Sequence, residues 1–441
     1  MSAIFPRLTI GDIAAVASGS TPARAQAGRY FNDSGQEWVK TGDLNNSLVE
    51  PTAERITAAA ISETNCRVFP VGTVLVAMYG GFRQIGRTGL LTRPAAVNQA
   101  ISAIQVDREK VVPEYLLHYL NFAEKLWRQF AASSRKDPNI TRKDVAEFPV
   151  ALPPLCEQRK IAEILRTWDD AITKATDLVT GLRTQYLRVS TTLLTPPEPI
   201  LRHLSETTRP LTKRNQGEMA RSKVMGVSNR DGLVPMRVQT IAEDISRYLV
   251  LPPKAFAYNP MRINVGSIAM SQKVGNVLVS PDYVLFECLS GELLPEFLGH
   301  SLKTRWWRHH VNAGGSGSVR TRTYYNDLAA ISIHTPPIAD QALIAQALNG
   351  AEAEIGLVEK KIDLLRTQKR GLMQKLLTGD VRVNVDLDQD SGRDQQGPNL
   401  PSIRMRSTSH NFPHSSCSRA LATFRSRPQR RSRCAAGAAA T

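Results

Sequence analysis

The strongest constraint on this chain is an internal repeat: an offset of 183 residues brings two distant segments into register without a gap. Leu152-Pro153-Pro154-Leu155-Cys156-Glu157-Gln158 falls on Thr335-Pro336-Pro337-Ile338-Ala339-Asp340-Gln341. Further on, Leu182-Arg183-Thr184-Gln185 falls on Leu365-Arg366-Thr367-Gln368, and Leu193-Leu194-Thr195 on Leu376-Leu377-Thr378. Such a chain is a tandem duplication, so each half must form a similar structure.

Within the first copy Ile161, Leu165, Trp168, Ile172, Ala175, Val179, Leu182, Tyr186, Val189 and Leu193 step by alternating fours and threes, the seam of a heptad repeat. Their counterparts are Ile344, Leu348, Ala351, Ile355, Val358, Ile362, Leu365, Lys369, Leu372 and Leu376, of which only Lys369 breaks the apolar pattern. Each copy follows a Pro-Pro pair, and Glu157 or Asp340 in its first turn complements the helix dipole. Two long amphipathic helices are predicted. At about 1.5 Å per residue each is on the order of 55 Å long, too long for one small domain to cover, so the seams are expected to bury each other. Spacing alone leaves parallel and antiparallel pairing open.

Ahead of the helices, Pro113-Glu114-Tyr115-Leu116 parallels Pro295-Glu296-Phe297-Leu298, and each is followed by a Trp-Arg pair, Trp127-Arg128 and Trp307-Arg308. Short apolar stretches such as Val71 to Tyr79 and Ile263 to Met270, set among Gly, Asn and Pro turns, predict strands. The fold class is therefore α/β (α+β): a first globule over 1–150, a helix over 151–195, a second globule over 196–333 and a helix over 334–383. The remaining stretch, 384–441, is rich in Arg, Ser, Pro and Ala without helical or strand period, a composition that predicts disorder.

Charge points to the partner class. The 441 residues carry 56 Lys and Arg against 40 Asp and Glu, a net charge of +16. Half of that excess lies from Arg393 onward, where Asp394 is the only acid, which leaves +8 on the body, compatible with nucleic acid. No apolar run is long enough to span a bilayer, and the start lacks a basic-then-apolar leader, so no membrane partner and a cytoplasmic location are expected. The cysteines, Cys66, Cys156, Cys288, Cys417 and Cys434, form no CxxC pair, and the adjacent His309 and His310 lack metal-ligand spacing, so no metal site is expected. Pro281-Asp282 with Glu287-Cys288-Leu289 has leucine where a nuclease needs lysine. A phosphate-binding GxxxxGK[ST] loop and an Asn/Asp-Pro-Pro-Tyr segment are both missing, so any chemistry must come from partners.

These residues resemble the specificity subunit of a type I restriction-modification system. The likeness is specific at Pro153-Pro154-Leu155-Cys156-Glu157-Gln158-Arg159-Lys160-Ile161-Ala162-Glu163-Ile164-Leu165 and at Gly371-Leu372-Met373-Gln374-Lys375-Leu376-Leu377-Thr378-Gly379-Asp380-Val381-Arg382-Val383. Ser18-Gly19-Ser20-Thr21-Pro22, Trp38-Val39-Lys40-Thr41-Gly42-Asp43-Leu44, Val97-Asn98-Gln99-Ala100, Tyr258-Asn259-Pro260-Met261-Arg262 and Val279-Ser280-Pro281-Asp282-Tyr283 support it. The resemblance implies two target-recognition domains, each reading one half of a bipartite site in double-stranded DNA, joined by an antiparallel coiled coil that sets the spacing. It implies no catalytic centre and no cofactor in this chain. Two methyltransferase (M) subunits using S-adenosylmethionine, and restriction (R) subunits using ATP and Mg2+, would supply the chemistry.

Lys and Arg supply phosphate contacts, and Arg, Lys, Asn and Gln can pair bidentately with purine edges. The DNA-binding candidates are Arg83, Gln84, Arg87, Arg135, Lys136, Asn139, Arg142 and Lys143 in the first globule. In the second they are Lys213, Arg214, Arg221, Lys223, Gln272, Lys273, Asn276, Arg320 and Arg322. For any one of them a solvated surface side chain is the competing reading, and for the whole chain the competing reading is a coiled-coil scaffold that docks proteins without DNA readout.

Overall fold

The computed structural model describes residues 5–81, 84–130, 139–229, 231–313 and 322–384; the tail from 385 and the candidates Arg83, Arg135, Lys136 and Arg320 lie outside the described residues. The chain divides into two compact units. The first combines the stretch up to Thr176 with that from Lys360, and the second is Asp177–Glu359.

The strands of the first unit are β1 (Arg7–Thr9), β2 (Ala14–Ser18), β3 (Phe31–Val39), β4 (Ser47–Leu48), β5 (Arg55–Ile56), β6 (Val68–Phe69), β7 (Val74–Ala77), β8 (Thr88–Leu90), β9 (Ala95–Val97), β10 (Ile101–Val106) and β11 (Pro149–Ala151). Between them run α1 (Ile10–Ile13), α2 (Ala27–Tyr30), α3 (Ala58–Glu63), α4 (Pro113–Phe122), α5 (Trp127–Phe130) and α6 (Arg142–Ala146), and the long α7 (Leu155–Leu194) follows. They build one sheet in the order β2-β10-β7-β8-β4, a second in the order β5-β3-β9-β6, and a β1-β11 pair.

The second unit holds β12 (Leu201–His203), β13 (Thr208–Leu211), β14 (Val224–Ser228), β15 (Gly232–Pro235), β16 (Leu249–Leu251), β17 (Phe256–Tyr258), β18 (Ile268–Met270), β19 (Val277–Val279), β20 (Val284–Cys288) and β21 (Ser332–His334). Its helices are α8 (Leu204–Thr207), α9 (Pro295–Ser301), α10 (Arg305–Ala313), α11 (Tyr325–Ala329) and α12 (Ile338–Thr378), the last continuing into the first unit. The sheets run β13-β20-β17-β18 and β15-β14-β19-β16, with a β12-β21 pair. Order and direction repeat those of the first unit, down to the parallel pairs β3-β9 and β14-β19 within otherwise antiparallel neighbours. The duplication therefore runs through the globules as well as the helices. Among the described strands, β4 alone lacks a counterpart.

Each globule has an apolar layer between its sheets, Val39, Leu75, Val97 and Ala103 in the first and Met225, Ala257, Val279 and Leu285 in the second. A second layer lies on the helical side: Tyr115, Trp127 and Phe148 in the first unit, Phe297, Trp307 and Leu328 in the second. The ends of the long helices join these layers. Ile161, Leu165, Leu376 and Leu377 complete the first, and Leu194, Ile344 and Leu348 the second, so the seam is covered by globule as well as by helix. Val179 and Ile362 are buried, and Trp168, Ile172, Leu182, Ile355, Val358, Leu365 and Leu372 half-buried.

Contacts inside each unit settle the direction left open by spacing. In the first, Glu157 meets Arg382 and Asp169 meets Lys369; in the second, Arg183 meets Glu359 and Tyr186 meets Glu352. One residue number rises as the other falls, so the helices pair antiparallel.

The Pro-Pro-x-x-x-Gln motif is a clamp. The Gln158 side chain, fully buried, accepts from Val112 N at 2.9 Å and donates to Lys110 O at 2.9 Å and Pro153 O at 2.8 Å. Gln341, equally buried, accepts from Leu294 N at 2.8 Å and donates to Glu292 O at 3.0 Å and Pro336 O at 2.9 Å. Each amide closes the backbone groups left open where a helix start meets a loop, which a shorter or apolar side chain cannot do.

Two predicted strands are shorter than their apolar runs. Gly72 at φ +86° turns the chain ahead of β7, and Ile263–Val265 is a 3-10 turn closed by Gly266 at φ +89°, so β18 begins only at Ile268. Past α12, Gly379 at φ +82° lets the chain turn against Phe5, and Arg382 grips the buried Glu157 carboxylate with Nε at 2.8 Å and Nη2 at 2.6 Å. This is the structural content of the Gly379-Asp380-Val381-Arg382-Val383 ending. No described helix is long and apolar enough to cross a membrane.

Candidate nucleic-acid interface

In the first globule the ends of β2, β3, β7 and β9 and the starts of β8 and β10 lie at one end of the sheets, opposite the Gln158 clamp. The connecting loops are tied together by residues of the three Gly- and Asn-containing motifs. Trp38 Nε1 donates to Ser20 O at 3.1 Å, Ser20 N to Val97 O at 3.0 Å, Asn98 N to Val39 O at 3.0 Å and Met78 N to Ala100 O at 2.8 Å. A Cβ on Gly19 would stand 2.0 Å from Val97 O, so glycine is required at that crossing. The motifs thus hold a rigid rim, and Thr21, hydrogen-bonded to Gln99, sits on it.

The segment at Asn139 reaches the same rim, because Ile140 N donates to Met78 O at 3.0 Å. Gln84 and Arg87, half-buried in the 81–87 turn, and the exposed Asn139 are therefore brought together. Exposed Asn45, Asn46 and Gln99 share this end, and charge counting missed them, although Gln99 lies in a motif visible in the sequence. Arg142 and Lys143 stand apart, exposed on α6 beside β2, where Lys143 lies 3.6 Å from Glu147.

The second globule repeats the arrangement: Thr323 N donates to Pro260 O at 3.0 Å, carrying the exposed Arg322 to the end formed by the 259–267 and 280–283 loops. The neighbouring Tyr324 and Asp282 raise the Arg322 pKa further, keeping it cationic. Lys213 and Arg214 follow β13 at this end, Lys213 lying 3.5 Å from Glu218. The other candidates do not join them. Arg221 and Lys223 precede β14, and Arg221 Nη2 is spent on Ile241 O at 2.8 Å. Gln272, Lys273 and Asn276 lie in the β18-β19 loop at the opposite end, where Lys254 N donates to Ser271 O. Charge and residue type locate such side chains in loops, but strand direction decides which end a loop occupies.

Among the described residues, no group of three His, Cys, Asp or Glu is arranged to hold a metal. Glu287, the acid of the nuclease-like spacing, is bonded by Arg209 Nε at 2.6 Å, while Asp282 lies in a turn with Ser280.

A second pair of polar sites was marked in the sequence only by Lys369. His118 of α4, buried, has Nδ1 3.9 Å from Asp169, which Lys369 engages. At the equivalent place in the second unit, His300 Nδ1 meets Tyr186 Oη at 2.9 Å and lies 3.9 Å from Glu352, while its Nε2 meets Asn349 Oδ1 at 2.9 Å. Burial, with Lys369 alongside, pushes His118 down to about 3, and burial also lowers His300 against the opposing pull of Glu352. Both imidazoles are neutral buried groups; His300 ties its globule helix to the long pair through Tyr186 and Asn349, whereas His118 Nδ1 has no hydrogen-bond partner among the described residues.

Residues 7–178 match the family described as the type I restriction modification DNA specificity domain. The chain is 22% identical over 171 residues to the type I restriction enzyme EcoR124I/EcoR124II specificity subunit of Escherichia coli, covering 38% of this chain and 42% of that protein. It is 30% identical over 169 residues to the MjaIX specificity subunit of Methanocaldococcus jannaschii, covering 37% of each, so the shared segment spans less than half of either relative. With the putative MjaX specificity subunit of that organism it shares 24% identity over 341 residues, 70% of this chain and 76% of the relative. In fold it is similar to the type I restriction-modification S subunit from M. genitalium, with a TM-score of 0.55 at 14% identity over 85% of this chain and 96% of that one. A chain from a type I restriction-modification complex gives a TM-score of 0.51 at 17% identity over 86% and 99%.

Proposed function

We propose that this chain belongs to the type I restriction-modification DNA specificity family and is the non-catalytic subunit that selects the DNA sequence for such a complex. Each globule reads one half of a bipartite site in double-stranded DNA, and the α7-α12 pair sets the spacing and docks two methyltransferase subunits. Methyl transfer with S-adenosylmethionine, and ATP- and Mg2+-dependent translocation and cleavage by restriction subunits, take place on the partners, in the cytoplasm.

One observation carries this reading: a single strand topology occurs twice, with different loops at the same end of each copy. The first presents the 84–87 turn with Gln84 and Arg87, and Asn139 beside it; the second presents the 259–267 and 280–283 loops with Arg322. A repeated frame with unlike loops is what an asymmetric two-part site requires. Amide and guanidinium groups pair with base edges, while exposed Lys and Arg neutralise phosphates without regard to sequence.

The test is reconstitution with the methyltransferase subunits and sequencing of the methylated sites. Exchange of residues 1–150 for those of a relative with another target is expected to change one half-site and leave the other intact. If the methylated sequence is unchanged by the exchange, the chain is a scaffold and the reading fails.

A further inference from the structure

Among the described residues, the missing counterpart of β4 leaves a sheet edge open. In the first globule Thr88 and Leu90 turn their outward backbone groups to residues 46–49: Asn46 N donates to Thr88 O at 2.9 Å, Val49 N donates to Leu90 O at 2.9 Å, and Thr88 N donates to Asn46 Oδ1 at 2.9 Å. Strand β4 runs parallel to β8 there, and Asn121 of α4 bonds Asn46 O at 2.8 Å from the side. In the second globule Ile268 and Met270 stand where Thr88 and Leu90 stand, as their pairings with Tyr258 and Phe256 show. Residues 40–54 link β3 to β5, whereas only 229–231 link β14 to β15, so the excursion that would carry a fourth-strand equivalent is absent.

The consequence is a groove of about 710 Å³ alongside β18, walled by Leu233 on the sheet side and by His300, Lys303 and Trp307 on the helical side. Ala269 makes the hydrogen bonds to β17, so the Ile268 carbonyl and the Met270 amide and carbonyl point into the groove, and none has a backbone or side-chain partner among the described residues. The charge in the groove is uneven. Lys303 is paired with Glu352 and Lys254 with Glu296, while Lys273 and Arg308, in a lining that also holds Asp231, form no salt bridge with another described residue.

We propose that this edge is a docking slot for an extended strand of a partner protein, which lies parallel to β18 as β4 lies parallel to β8 and carries an acidic residue toward Lys273 and Arg308. The chemistry of the occupant follows from the occupied copy. Its backbone must offer an amide to the Met270 carbonyl, as Val49 does to Leu90, and main-chain bonds supply the affinity of such strand addition. In the first copy a Cβ on Gly89 would meet Val49 Cγ2 at 2.7 Å and Leu44 Cδ2 at 2.8 Å, so Ala269 in its place calls for a smaller side chain than valine at the one position and excludes the leucine at the other. The slot acts independently of DNA reading.

The probe is the labelled peptide Asn-Asn-Ser-Leu-Ala-Glu, the sequence of residues 45–50 with alanine in place of the valine, titrated into the full chain. Saturable binding is expected, weakened about tenfold when the alanine nitrogen of the peptide is methylated, a change that removes one hydrogen bond and cannot disturb the protein's folding. Arg308→Glu is expected to weaken binding of the same peptide, and replacing the peptide's glutamate by lysine likewise. Absence of saturable binding, or equal binding of the methylated and unmethylated peptides, overturns the proposal. So does a result in which a DNA duplex displaces the peptide completely, since the groove then belongs to nucleic acid.

Discussion

Lys369, the one charge in the α12 seam, is salt-bridged to Asp169 of α7 beside the buried His118. Its place in the other copy is taken by Tyr186, which reaches His300 and Glu352. The heptad exception is therefore one half of a matched pair of polar ties, and its removal has a readable consequence. Lys369→Ala is expected to cost about 1 kcal/mol, modest because Asp169 is 44% exposed, and Asp169→Ala with Lys369→Leu together are expected to come close to the parent. A double-mutant cycle on urea midpoints measures the coupling; additive losses would show that the pair contributes nothing.

The buried imidazoles set a pH dependence. His118 is held neutral down to about pH 3, whereas in the unfolded chain it takes a proton near 6.5, so the unfolded state binds more protons as pH falls. Stability is complete above pH 6.5 and is expected to decline by roughly 1.4 kcal/mol per pH unit below it, with His300 adding in the same direction. Denaturant unfolding at a series of pH values for the parent and for His118→Gln measures this, and the variant's profile should be flatter.

The clamps make a third prediction. Gln158→Leu strands the Val112 amide and the Lys110 and Pro153 carbonyls, at an expected cost of about 2–3 kcal/mol. Hydrogen exchange should rise around 110–112 and remain unchanged around 292–294, where Gln341 does the same work; Gln341→Leu should show the converse.

Base readout and phosphate binding separate by salt and sequence. Asn139→Ala or Gln84→Ala is expected to relax one position of one half-site, by about 1–3 kcal/mol for each bidentate pairing with a base that is removed. Lys213→Ala with Arg214→Ala, exposed at the reading end of the second globule, is expected to weaken binding to all sequences alike and to lower the slope of log affinity against log salt. Methylation assays on a site library, and binding of the reconstituted complex across salt, distinguish the two behaviours.

The helices were legible because a heptad seam is written in consecutive turns and survives single departures such as Lys369. The strand-by-strand correspondence of the two globules was not, because a sheet position asks only for a side chain of suitable size. Gly89 and Ala269 occupy one position, and their likeness emerges only from the pairing of neighbouring strands; Tyr115 and Phe297, by contrast, stand aligned in the sequence. The candidate side chains for DNA contact could be chosen by type in the sequence but not by place. Arg322 and Lys273 look alike in sequence, yet the direction of β18 sends their loops to opposite ends of one sheet. The buried histidine sites were invisible because Asp169 and Glu352 sit on the long helices, far in sequence from the imidazoles they approach.

The grip of Arg382 on Glu157, with Met373, Leu376 and Leu377 in one core with Ile10 and Trp127, governs the order in which the molecule can be completed during synthesis. The first globule emerges from the ribosome first, but its helical layer stays uncovered until the second globule and nearly all of α12 have been made. The second unit, drawn from one uninterrupted stretch, can close earlier. Translation therefore finishes the later half before the earlier one, and a messenger cut short before the codons for α12's final turns yields a first globule with an exposed apolar face, a substrate for chaperones and proteases.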